Sequence, residues 1–177
     1  MRLIRRVTTL LMASTSVQSS TAPPAYDVVV YGASGFTGRL AVEYLTDRYS
    51  TSGLKWAIAG RSRARLEALE AAVPIIVADA TDAASVDAMV AQTKVLLNYA
   101  GSPYITKALP VVEACARHGT HYVDVTGEVA LHRASLDRHD AKAKETGALI
   151  VHSCGYDSIP SDPVSYTHLT LPTILLV

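Results

Sequence analysis

The sequence predicts an α/β domain, a doubly wound parallel sheet, from three observations. Short apolar runs recur along the chain, segments with helical apolar spacing lie between them, and the links are short and marked by Gly, Pro, Ser or Asp. Strict alternation of strand and helix with short links gives parallel strands covered by helices. The composition suits such a core: 177 residues, 49% hydrophobic and 18% charged, within the range of one globular domain.

Asp27 to Tyr31 is an apolar run bounded by Pro and Gly, hence a buried strand. Phe36 to Tyr49 carries a helical stripe at Phe36, Leu40, Tyr44 and Leu45. Leu54 to Ala59 is a second strand, and Ser62 to Ala72 a second helix with Ser62 as N-cap. A third strand covers Pro74 to Ala78, a helix Thr81 to Gln92, and a fourth strand Val95 to Asn98. Ile105, Leu109, Val112 and Ala116 form one stripe on the next helix, which ends at Gly119. His121 to Val125 is a fifth strand, Glu128 to Glu145 a polar helix closed by Gly147, and Ala148 to His152 a sixth strand.

The first strand leads into Gly32-Ala33-Ser34-Gly35-Phe36-Thr37-Gly38, a G-x-x-G-x-x-G loop that opens a helix. In a βαβ unit this spacing predicts a dinucleotide-binding Rossmann loop. Gly32 permits a sharp turn, Gly35 a close approach of backbone to the diphosphate, and Gly38 close helix packing. Backbone N–H groups and the positive end of the helix dipole then face the diphosphate.

An acid at the end of the second strand would bind the ribose 2′-hydroxyl of NAD. Here Arg61-Ser62-Arg63 stands instead. The guanidinium of Arg61 suits a 2′-phosphate, with Ser62 adding a hydroxyl, so NADP(H) is expected over NAD(H). Asp79 ends the third strand, facing either the adenine or the start of its own helix. Asn98 and Gly101 follow the fourth strand on the nicotinamide side, where Asn98 could equally cap its own turn.

These residues suggest a family. GASGFTGRL (32–40) and AGRS (59–62) resemble the saccharopine dehydrogenase-like oxidoreductases, a group that includes trans-acting enoyl reductases. LNYAGSPY (97–104), PVVEACARHGTHYVDVTGE (110–128) and GALIVHSCGYDSIPSD (147–162) fit the same group, so the resemblance spans about residues 27 to 163. It departs after the fourth strand, where Asn98 to Tyr104 carries one additional residue and Thr106-Lys107-Ala108 replaces a glycine-containing stretch. The resemblance implies an NAD(P)-binding domain followed by a second α+β domain. It also implies hydride transfer to or from a small-molecule substrate, a C=C or C=N bond being one acceptor. A non-enzymatic NADP-binding scaffold or sensor is the alternative. Oligomeric state and any membrane association of the longer protein stay open.

Four further points bound function. The net charge of +0 argues against nucleic acid as a partner. Glu128 either orients substrate or relays a proton, or it is a carboxylate at a helix N-terminus, stabilised by the dipole. His152, Cys154, Tyr156 and Asp157 cluster after the sixth strand, but no third group is evident to activate a Cys–His pair, and catalytic residues are left unassigned. Cys115 lies on an apolar helix face and is expected in the core, and the spacing of the two cysteines suits no metal site.

The ends divide from the middle. Arg2, Arg5 and Arg6 precede the first acid, Asp27, leaving 13 basic against 16 acidic residues in the remainder. Residues 1–25 are expected to be a disordered leader or a mitochondrial presequence, with Met12 as a second possible start. The cytoplasm is the first expectation for compartment. Residues 26–163 are expected to form the binding domain. Val164 to Thr173 is encodable by a string that resembles the transposon-end adapter of sequencing libraries, so residues 164–177 are expected to be non-native. A chain ending there should hold cofactor without catalysing.

Overall fold

The computed structural model describes residues 23–162 and residue 164. The expected leader up to residue 22, and the expected tail beyond residue 164, lie outside the described residues.

Six parallel strands form one sheet in the order β3-β2-β1-β4-β5-β6. They are β1 (Tyr26–Tyr31), β2 (Trp56–Gly60), β3 (Ile75–Val77), β4 (Thr93–Asn98), β5 (His121–Asp124) and β6 (Ile150–Val151). The sheet tapers, from six residues in β1 and β4 to three in β3 and two in β6. Tyr31 pairs in register with Ala59 of β2 and Asn98 of β4. The chain winds outward from β1 to β3, then returns to start again at β4. The crevice beyond the carboxyl ends of β1 and β4 is therefore the switch point where such sheets hold ligands.

Alternation along β1 explains the doubly wound form. Val29 and Tyr31 enter one core with Val86, Met89, Leu96, Val111 and Tyr122. Val30 enters the opposite core with Val42, Trp56, Ile58 and Leu66. Helices α3 (Ala83–Val90) and α5 (Leu109–His118) cover the first face, and α1 (Phe36–Tyr49) and α2 (Arg63–Glu67) the second. Burial on both faces is why the strand is continuously apolar. The long helix α6 (Val129–Thr146) packs on α5, where the Thr146 hydroxyl donates to the Ala116 carbonyl at 2.7 Å. Gly119 and Gly147 close α5 and α6 in the left-handed conformation, as expected from the sequence. Cys115 is fully buried in the core.

Four expectations need correction. The stripe on α1 is rotated: Phe36 is 85% exposed and Leu40 and Tyr44 are over half exposed, while Gly38 and Val42 are buried. Gly38 sets that rotation, because a Cβ there would collide with the Gly32 carbonyl and lie 2.8 Å from Ala33 Cα. The second helix stops at Glu67, and Glu70 turns the chain left-handed at φ 51°. Ser62 holds the N-cap position of α2 but makes no side-chain capping bond. The stripe from Ile105 to Ala116 spans two helices, a one-turn α4 (Tyr104–Lys107) and α5, divided at Ala108. Pro110 accounts for the division, since it offers no N–H to the Thr106 carbonyl and its ring crowds that group.

Candidate functional site

Three chain segments converge on the switch-point crevice. The first is the loop after β1. Gly32 has φ 82°, and a Cβ on it would lie 2.5 Å from the Ala100 nitrogen. Only glycine lets the loop after β4 pass this close. The Gly35 N–H donates to the Gly32 carbonyl at 2.9 Å, which tightens the turn. Gly35 then starts α1 with no side-chain capping bond and no acid in the first turn. No N-cap side chain occupies the start of this 14-residue helix, and its N-cap residue, Gly35, lines the cavity.

The second wall follows β2 and β3. Gly60, Arg61 and Arg65 line it together with Asp79. Asp79 Oδ1 accepts from the Thr81 N–H and hydroxyl, both at 2.9 Å, and these bonds hold its carboxyl below the usual range. Asp79 does not cap the following helix; Asp82 does, accepting from the Ala84 N–H at 3.1 Å. Tyr31 sits at the floor, its phenol pushed up to about 12 by burial and by nearby Asp79.

The third wall is Tyr99, Ala100, Gly101 and Lys107. Glu128 positions it from a distance. Its carboxylate accepts from the Tyr104 N–H at 2.7 Å and the Ile105 N–H at 2.9 Å, and so caps α4. Glu128 does stand at a helix N-terminus, the N-cap position of α6, but its side chain caps α4 rather than its own helix. The Tyr104 ring in turn packs on Gly101, where a Cβ would lie 2.6 Å from a ring carbon.

Of the expected site residues, Gly32, Ser34, Gly35, Arg61, Asp79 and Gly101 come together around one cavity. Ala33 is buried and Gly38 packs against the loop from behind. Phe36 and Thr37 are exposed on the first turn of α1, and Ser62 is half-buried beside Arg61. Asn98 is buried, its side-chain oxygen accepting from the Ala100 N–H at 2.8 Å. The sequence reading missed Arg65 and Lys107. Arg63, next to Ser62 in the same stretch, pairs instead with Glu67 at 3.7 Å on the surface.

A polar network extends from Asn98 across the carboxyl ends of β5 and β6. Asn98 donates to the Tyr122 hydroxyl at 2.9 Å, and that hydroxyl donates to Asp124 Oδ2 at 2.9 Å. His152 Nδ1 lies 2.7 Å from the same oxygen, while the Thr126 and Ser153 N–H groups donate to Oδ1 at 3.1 Å. Burial pushes the Asp124 carboxyl up, but His152 and the two N–H groups outweigh it, and the net shift is downward. The third group that the sequence did not reveal beside His152 is thus Asp124. Cys154 is not activated by it, for its thiol contacts main-chain carbonyls, and burial followed by the Asp124 charge pushes its pKa up. A reactive thiol needs the opposite.

This chain is similar to known proteins over most of its length. The family described as saccharopine dehydrogenase NADP binding domain matches residues 28–151. A trans-acting enoyl reductase of Mycobacterium leprae is 44% identical over 144 residues, covering 77% of this chain and 34% of that protein. One from Mycobacterium tuberculosis H37Rv is 43% identical over 150 residues, covering 81% and 35%. The chain therefore spans about a third of the length of the curated relatives it matches. Among solved structures, saccharopine dehydrogenase (L-Glu forming) of Saccharomyces cerevisiae shares the fold at TM-score 0.64 and 22% identity, covering 81% of this chain and 32% of that one. A Citrobacter triphenylmethane reductase complexed with NADP(H) shares it at TM-score 0.54 and 19% identity, covering 71% and 48%.

Proposed function

Because the chain belongs to the saccharopine dehydrogenase NADP binding domain family, we propose that it is the cofactor-holding part of an oxidoreductase moving hydride between NADP(H) and a small-molecule substrate. The observation that carries the reading is the single cavity shared by the Gly32–Gly35 loop and Arg61, with no carboxylate at the end of β2. The residues fit a dinucleotide: a tight glycine turn, possible only without side chains at Gly32 and Gly38, lines the cavity with Gly32, Ser34 and Gly35, and the helix that follows starts uncapped. Gly32, Ser34 and Gly35, with the N–H groups of Phe36 and Thr37, hold the diphosphate, while Ala33 and Gly38 keep the loop in shape. Arg61 and Ser62 take the 2′-phosphate, Asp79 the adenosine end, and the Ala100–Gly101 segment, shaped by Asn98, the nicotinamide end. The bound nicotinamide supplies the hydride chemistry, and these residues bind and orient it. That the mycobacterial relatives are trans-acting enoyl reductases supports a C=C bond as acceptor. Residues 26–163 form the binding unit. Among the described residues no helix is long and apolar enough to cross a membrane.

Calorimetric titration of the chain tests the cofactor assignment. NADPH should bind at least tenfold tighter than NADH, about 1.4 kcal/mol, and Arg61→Ala should remove most of that gap. Equal affinities in the parent protein would sink the assignment.

A further inference from the structure

We propose that the cavity carries its cations in two separate places, Arg61 and Arg65 on the 2′-phosphate and Lys107 on the diphosphate. This rests on the reading above and assigns two residues that reading did not use. Arg61, Arg65 and Lys107 all line the cavity, and its one lining carboxylate, Asp79, already accepts two bonds from Thr81. Among the described residues neither Arg61, Arg65 nor Lys107 has an ion-pair partner, whereas Arg63 pairs with Glu67. Unpaired cations around a concavity raise its potential and favour an anion there.

The two arginines stand on the wall that follows β2, where the adenosine ribose lies in this fold. Their planar guanidinium groups suit a phosphate bidentately. Lys107 stands on the wall that follows β4 with Gly101 and lines the same cavity as the Gly32–Gly35 loop. Its ammonium donates to the Ser102 carbonyl at 3.0 Å, which anchors it beside the loop and leaves two N–H donors free. A diphosphate diester carries two negative charges at neutral pH. The glycine loop offers N–H groups without formal charge, and a helix N-terminus supplies the equivalent of roughly half a charge. Lys107 supplies a full positive charge on that side.

Binding of four ligands to the chain separates the two places: NADPH, NADH, ADP-ribose (diphosphate without 2′-phosphate) and 2′-AMP (2′-phosphate with no phosphate on the 5′ side). Lys107→Ala and Lys107→Gln should each weaken NADPH, NADH and ADP-ribose by a common factor of about ten, flatten the salt dependence, and leave 2′-AMP within twofold. Lys107→Arg should restore most of the affinity. Arg65→Ala should weaken NADPH and 2′-AMP while leaving NADH unchanged. Thermal melts check that each variant is folded. Lys107 variants that bind NADH as the parent does, or that lose only NADPH, overturn the assignment of Lys107. Unchanged NADPH affinity in Arg65→Ala overturns that of Arg65. A parent chain that binds neither dinucleotide overturns the cofactor site itself, a result distinct from the other two.

Discussion

Asp124 ties three strands together through one carboxylate. It accepts from Tyr122 within its own strand, from His152 just past β6, and from the Thr126 and Ser153 N–H groups. Through Tyr122 it also reaches Asn98 at the end of β4. Its pKa in the folded chain is below the ordinary value, which is about 3.9 in unstructured peptides. A depressed acid stabilises the fold above its unfolded pKa and loses that contribution as pH falls through the folded pKa. The expected result follows: Asp124→Asn is less stable than the parent by about 2 kcal/mol or more at pH 7. The gap should start to narrow as pH drops below about 4, where the unfolded chain takes up the proton, and should vanish once pH has passed the lower folded pKa and the native carboxylate is protonated too. Urea unfolding at several pH values measures this, and a gap that does not change with pH would count against an ionised Asp124 as the source of the stability.

At the scale of elements, α4 is too short to hold itself, since a single turn fixes several residues for one hydrogen bond. Glu128 supplies what the turn lacks by accepting two of its first N–H groups. Glu128→Ala should cost about 1–2 kcal/mol, the usual range for a cap, and should raise hydrogen exchange at Tyr104 to Lys107. Dinucleotide affinity should fall with it, because α4 carries Lys107 and its first residue packs on Gly101. Unchanged exchange would show that α4 is held by something else. The existence and order of the strands were legible because apolar runs and glycine stops are local signals. The rotation of α1 was not legible, because it depends on Gly38 meeting Gly32 across the loop rather than on the helix's own spacing. The bond of Glu128 to Tyr104 crosses 24 residues, and nothing local in the sequence announces it.

Seen whole, the crevice is walled by the segments after β1, β2 and β4, all at one edge of a parallel sheet. In the proposed reading those walls grip a cofactor, and among the described residues nothing encloses a substrate beside it. Phe36 and Tyr156 stand 85% and 91% exposed, large apolar groups left facing solvent. Hydride transfer needs reacting atoms held about 3–3.5 Å apart and aligned, and a water-filled site forfeits much of its electrostatic leverage. The chain by itself should bind NADPH yet fail to oxidise it in the presence of α,β-unsaturated acyl thioesters. Spectrophotometric turnover above the buffer rate would refute this. The glycine loop and Arg61 were legible because one segment each carries them. Arg65 and Lys107 were not, because which of several basic residues faces a cavity is decided by folding.

The tapering of the sheet bears on how the molecule behaves among its own copies. A foreign strand approaching either border finds three residues of ladder at β3 and two at β6. Ordering such a strand costs roughly 1–2 kcal/mol for each residue immobilised, and so few backbone bonds do not repay it. The long strands, with the most template to offer, are already paired on both sides. Short borders of this kind act as a guard against edge-to-edge aggregation, so the concentrated protein should resist fibrillar growth even where Val77 and Val151 leave apolar side chains in water.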